Sequence, residues 1–168
     1  MSTIDSGRGK RPRTRLAGPY GHPFHPVLVT IPIGAWVASL VFDVGSRLRE
    51  DDAETLATGS LWLVVIGIVG ALVAAVFGLI DLSGVRPRTT AFRTGITHLA
   101  LNTTVVILYA VNAGLRLGAD DGPVDTAPLL LSVVALLLLG VSGWLGGQLA
   151  YHYGVRVADD ATQAEAFR

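Results

Sequence analysis

Four stretches of this chain are apolar for about 20 residues each, enough as helices to cross the roughly 30 Å hydrocarbon core of a bilayer. They run over residues 27–44, 56–82, 96–115 and 128–151. In lipid the backbone must satisfy its own hydrogen bonds, so each stretch is read as an α-helix. The connecting segments are short, and short connections make antiparallel neighbours. The expected fold is therefore an all-α integral membrane four-helix bundle with up-down-up-down topology. Composition agrees. Of 168 residues, 51% are hydrophobic and only 15% charged, against about 25% charged in a soluble domain. Charges cluster between the apolar runs. The bundle is expected over residues 20–157, between a basic, disordered tail (1–19) and a polar C-terminal tail (158–168).

Arg and Lys set the orientation. Ten basic residues fall on one side: Arg8, Lys10, Arg11, Arg13, Arg15, Arg86, Arg88, Arg93, Arg156 and Arg168. Three fall on the other (Arg47, Arg49, Arg116), diluted by Glu50, Asp51, Asp52, Glu54, Asp120, Asp121 and Asp125. The positive-inside rule then places both termini in the cytoplasm. The first apolar run holds Pro32, Trp36 and Asp43, and no clear A-x-A site follows it. It is read as a retained helix rather than a cleaved signal. The formal net charge is zero, so nothing global argues for nucleic acid, and the basic tail reads as a topology determinant.

All four histidines lie at the ends of the apolar runs. His22 and His25 precede the first, His98 opens the third and His152 closes the fourth; Asp81 closes the second. Alternating helix direction brings all five to the cytoplasmic side. The chain has no cysteine, which excludes disulfides and thiolate metal sites within it. Imidazole is the commonest metal ligand and a frequent axial haem ligand. The candidate cofactor is haem b or a His-ligated metal ion. The cofactor-binding candidates are His25, His98 and His152, within a wider metal set of His22, His25, His98, His152 and Asp81. Asp81 would be a ligand, a partner orienting a ring, or a proton acceptor.

Helical spacing sorts the faces. His25, Pro32, Trp36, Ser39 and Asp43 form one polar line on helix 1, and His98, Asn102, Tyr109, Asn112 and Arg116 another on helix 3. Polar groups inside a bilayer turn into the bundle, so both lines should face inward. Asn102, Asn112 and Ser39 are expected to hydrogen-bond between helices. Asp43 is expected to pair with Arg47 at the membrane surface, within reach of Arg116. Two small-residue stripes, Gly67, Gly70, Ala71, Ala74, Gly78 and Gly140, Gly143, Gly147, are expected to pack against neighbouring helices. The halves also resemble each other. Each hairpin opens on a histidine (His25, His98), and Asp81 and His152 each precede a Gly-Val-Arg, at Gly84 and Gly154. Two hairpins related by an axis along the membrane normal would bring these positions together.

Gly21-His22-Pro23-Phe24-His25-Pro26, followed by the run to Trp36, is the sharpest local motif. Proline after each histidine favours extended backbone at both. With Phe77-Gly78-Leu79-Ile80-Asp81, His98 and Tyr151-His152-Tyr153-Gly154-Val155, it makes the chain resemble a family of bacterial membrane proteins known as domain of unknown function 2231, over roughly residues 19–157. The resemblance implies four membrane helices and no established activity. Some related proteins are similar to fusions with a Rieske-type iron–sulfur domain, which implies electron transfer. This chain has no cysteine for such a cluster, so its redox partner is expected to be a separate protein or a larger membrane complex.

The leading expectation is a redox-associated subunit of the bacterial inner membrane that binds haem or a metal through its histidines. The runner-up is a non-catalytic accessory protein that assembles with a larger complex, or with its own copies, through its glycine faces. A small proton or ion transporter ranks third, since the middle of each span is nearly apolar. No nucleophile–base pair points to a catalytic residue, and the chain is not expected to be an enzyme by itself.

Overall fold

A computed structural model describes residues 10, 18, 22–118 and 121–165 of the chain. The expectations for most of the basic tail and for Gly21 lie outside the described residues. Four helices are long and apolar enough to span a membrane. Helix α1 covers Phe24–Leu48, α2 Ala53–Ser83, α3 Thr90–Arg116 and α4 Thr126–Gly147, the last continuing as a π turn over Gln148–His152. A short helix, α5, follows at Asp160–Glu165. Each long helix starts before its apolar stretch, because first-turn residues at the bilayer edge need no apolar side chain.

Local chemistry explains the ends. Pro23 is extended (φ −73°, ψ 131°) and caps α1. Pro26 sits in the first turn, where its missing N–H would lack an intrahelical partner anyway. His25 is helical rather than extended, despite the proline after it. Its ring donates to the Ala74 carbonyl of α2, which holds it in the first turn. A break in the helix assignment at Val29 falls where Pro32 has no N–H to donate to the Leu28 carbonyl. The flanking bonds Val29 N→His25 O (3.1 Å) and Ile33 N→Val29 O (3.3 Å) keep the chain on a helical path. The Thr89 side chain caps α3 by accepting from Phe92 N at 3.2 Å. Glu50, Asp51, Asp52 and Glu54 gather at the start of α2, where the helix dipole favours negative charge.

The core lies mid-bundle. Trp36 of α1, Val64 of α2, Val105 and Tyr109 of α3 and Ala135 of α4 are almost fully buried together. Trp36 and Tyr109 stack with centroids 4.2 Å apart and planes 8° from parallel. The N–H edge of the indole abuts Gly67, and Trp36 Nε1 donates to the Val64 carbonyl at 3.3 Å. Both polar lines face inward as the spacing required: Pro32, Ser39 and Asp43 on α1, and Tyr109 and Asn112 on α3, are buried. The opposite faces present Val41, Trp62, Val69, Leu72, Leu137 and Trp144 outward, an exposed apolar surface suited to lipid.

The small-residue stripes part company. On α2 a Cβ at Gly67 would sit 2.2 Å from Trp36, and one at Gly70 2.8 Å from Ile31, so α1 does pack there. On α4, Gly140, Gly143 and Gly147 have nothing within 4 Å of an added Cβ. The residue that packs on α4 is Gly146, beneath His98. Among the described residues the α4 stripe packs against no neighbouring helix, and its Gly143 faces a cavity.

Candidate functional site

The two hairpins correspond residue by residue. His25, Trp36, Ser39 and Asp43 of α1 match His98, Tyr109, Asn112 and Arg116 of α3 at one constant offset along the chain. Val64, Gly67, Ala74 and Gly78 of α2 match Ser132, Ala135, Ser142 and Gly146 of α4 at another. Three of the α1–α3 equivalents meet across the bundle. The His25 and His98 rings approach to 6.4 Å between centroids, Trp36 stacks on Tyr109, and Asp43 pairs with Arg116. Residues that meet their own equivalents lie about a two-fold axis.

The histidine end is built the same way twice. His25 Nδ1 lies 2.9 Å from the Ala74 carbonyl, and His98 Nδ1 lies 2.8 Å from the Ser142 carbonyl. A carbonyl only accepts, so each Nδ1 carries the proton and each Nε2 presents a lone pair. One helical turn further on, each ring rests on a glycine. A Cβ at Gly78 would fall 3.0 Å from the His25 ring, and one at Gly146 3.2 Å from the His98 ring. Asn102 supports His98 on its own helix. Its amide donates to Ser142 Oγ at 2.7 Å and approaches His98 Nε2 at 3.2 Å.

A cavity of about 360 Å³ opens between the hairpins at this end. Its walls are mostly apolar. The charged and imidazole groups lining it are His25, His98, Asp81 and Arg156. Asp81 of α2 and Arg156, beyond α4, are nearly buried (11% and 6% exposed) and joined by a 2.9 Å ion pair from Nε to Oδ1.

The structure thus brings together three of the five residues singled out by sequence: His25, His98 and Asp81. His22 and His152 are exposed and line no part of the cavity. For His152 the reason is a local change of winding. The duplication pairs it with Asp81, but α4 passes into a π turn just past Gly146. Each residue turns an α-helix by about 100°, so accommodating extra residues there moves the inward positions along the chain. Leu149 lines the cavity at the place corresponding to Asp81, and His152 faces outward against Tyr153. Among the described residues no three His, Cys, Asp or Glu side chains converge as a metal-ion site. Arg156, counted from sequence only as a topology charge, is part of the cavity. The Gly-Val-Arg repeat was its signal.

The opposite end of the bundle differs from the surface anchor expected there. Asp43 is fully buried, and Arg116 holds it with two parallel bonds of 2.9 Å. Ser60 of α2 donates to Asp43 Oδ1, and Ser132 of α4 to Oδ2 at 3.3 Å. Asn112 accepts from Arg116 Nε at 2.6 Å and donates to the Pro128 carbonyl at 2.7 Å. All four helices meet in this network. Arg47 turns away to the Val124 carbonyl and Thr126 (2.8 and 2.9 Å). In an apolar interior a carboxylate gains more from a bidentate guanidinium than from a surface i,i+4 partner. Asn102 and Asn112 bond between helices as expected, whereas Ser39 donates to Trp36 O within its own helix.

The family described as Predicted membrane protein (DUF2231) matches residues 21–159, spanning all four helices and the cavity. The chain belongs to this family. No curated protein and no solved structure matches it. For this DUF2231 protein the four membrane helices and the multi-pass architecture stand on the family match and the helices together.

Proposed function

We propose that this protein is a redox-associated subunit of the bacterial inner membrane, in which His25 and His98 would hold a haem b. The observation that carries this is the matched pair of imidazoles across the bundle. Each is locked through Nδ1 to a backbone carbonyl, and each rests on a glycine where a Cβ would crowd it. A histidine that holds a haem needs its Nδ1 fixed so that Nε2 can serve as the donor atom. Two equivalent residues also suit a ligand with two like faces. A donor set of two suits haem better than a bare metal ion, which takes three or four protein ligands.

Haem bound there would supply one-electron transfer. The chain's residues supply the rest. Ala74 and Ser142 orient the rings, Gly78 and Gly146 leave them room, and the apolar cavity walls exclude water. Asn102, which donates to Ser142 Oγ, would have to give up its approach to His98 Nε2 for that nitrogen to hold the haem. Both termini and the histidine end face the cytoplasm, where a separate redox protein exchanges electrons. The test is an absorption spectrum of the full chain purified in mild detergent from haem-supplemented cells, before and after dithionite. The expected result is a Soret band that shifts on reduction, at one haem per chain. Absence of haem from folded protein would overturn the reading.

A second reading rests on the open α4 face. At Gly140 and Gly147 an added Cβ would meet nothing within 4 Å. That face suits close approach by another helix, as in an accessory subunit of a larger membrane complex.

A further inference from the structure

The segment after α4 is wound in an unusual way. Tyr153 N bonds back to Gln148 O across the π turn at 3.0 Å, and Val155 N to Leu149 O at 2.9 Å. Gly154 and Arg156 both take left-handed backbone, at φ 66° and 61°. Glycine adopts that region freely, but an arginine does so at a cost in steric energy. The winding returns the Arg156 side chain to the bundle, 6% exposed, where it lines the cavity beside the two histidines. Asp81 reaches it from α2, so the pair ties the tail of one hairpin to the other. The guanidinium therefore lies at the polar end of an apolar cavity. Strained backbone at such a place points to a ligand.

We infer that Arg156 is the acid-recognising group of this cavity, held by Asp81 and contacting a carboxylate at one end of an otherwise apolar ligand. The inference rests on the haem reading, under which that carboxylate is a haem propionate. A guanidinium carries five N–H donors in a fork that matches a carboxylate. Contact with one Asp81 oxygen anchors the guanidinium at Nε. The imidazoles and the guanidinium then divide the work: His25 and His98 bind the centre of the ligand, and Arg156 sets which edge faces the cytoplasmic mouth.

The test compares haemin with its dimethyl ester, in which both carboxylates are blocked. Full-length protein freed of haem in mild detergent is titrated with each, following the Soret band and quenching of tryptophan fluorescence. Wild type is expected to bind haemin about tenfold more tightly than the ester, as for one charge-assisted hydrogen bond. Arg156→Gln should lose most of the preference for haemin over the ester and Arg156→Lys should retain part of it, each read as the ratio of the two affinities within one variant. Equal affinity of wild type for both forms overturns the role of Arg156 and leaves the haem reading intact. Binding of neither form overturns both. The wild-type comparison requires no variant, so a failure of Arg156→Gln to fold does not shield the inference.

Discussion

Asp43 shows how much one residue can hold in this bundle. It is fully buried and accepts from Arg116, Ser60 and Ser132, so three helices converge on a carboxylate carried by the fourth. Removing one member of a buried ion pair leaves the other charged without compensation, at roughly 3–5 kcal/mol. Asp43→Ala and Arg116→Ala should each lower stability on that scale, and the double variant should cost clearly less than their sum. Unfolding of the three variants in detergent and denaturant checks this; strict additivity would mean the pair contributes little. The histidines make a second residue-scale test. Loss of haem is expected in His25→Ala and His98→Ala, with near wild-type content in His22→Ala and His152→Ala, measured as haem per folded chain. Equal loss in all four would point to folding rather than ligation. Sequence placed every histidine at one end of the bundle. It could not separate the inward pair from the outward pair, because that depends on helix rotation to within a fraction of a turn.

At the scale of the helix, the two small-residue stripes look alike in sequence and do different things. Gly67 lies under Trp36, where an added Cβ would fall 2.2 Å from the indole nitrogen. Gly67→Ala should force the indole to shift and destabilise the bundle by roughly 1–3 kcal/mol. Gly140→Leu meets open space and should leave the stability of the isolated chain near wild type. Thermal unfolding of both in detergent separates them. If the α4 strip docks a partner, Gly140→Leu should also remove a co-purifying membrane protein, or self-association, without unfolding the chain. The stripes were legible as small-residue faces. Which of them has a neighbour was not, since hairpin partners pack tightly while the two hairpins part around a cavity.

For the whole molecule, the ten-to-three bias of basic residues gives a direct expectation. Reporters fused to the C-terminus and to the loop between α1 and α2 should report cytoplasm and periplasm, respectively. The reverse result would put the histidine cavity on the outer face. The doubled architecture is the other property of this scale. Equivalents meet at His25–His98, Trp36–Tyr109 and Asp43–Arg116, so one relation orders both polar ends and the aromatic core between them. The sequence by itself determined the four spans, their alternation, the inward polar lines and the end at which the histidines gather. Those follow from the exchange of each residue with lipid or water, and from helical period, which are local properties. Only the tertiary structure decided that Asp43 is buried, that two histidines out of four face each other, and that Arg156 returns to the cavity. Those outcomes depend on how far each helix is rotated and on where its winding changes. A π turn and two left-handed residues reposition a side chain without changing the hydropathy that marks the span.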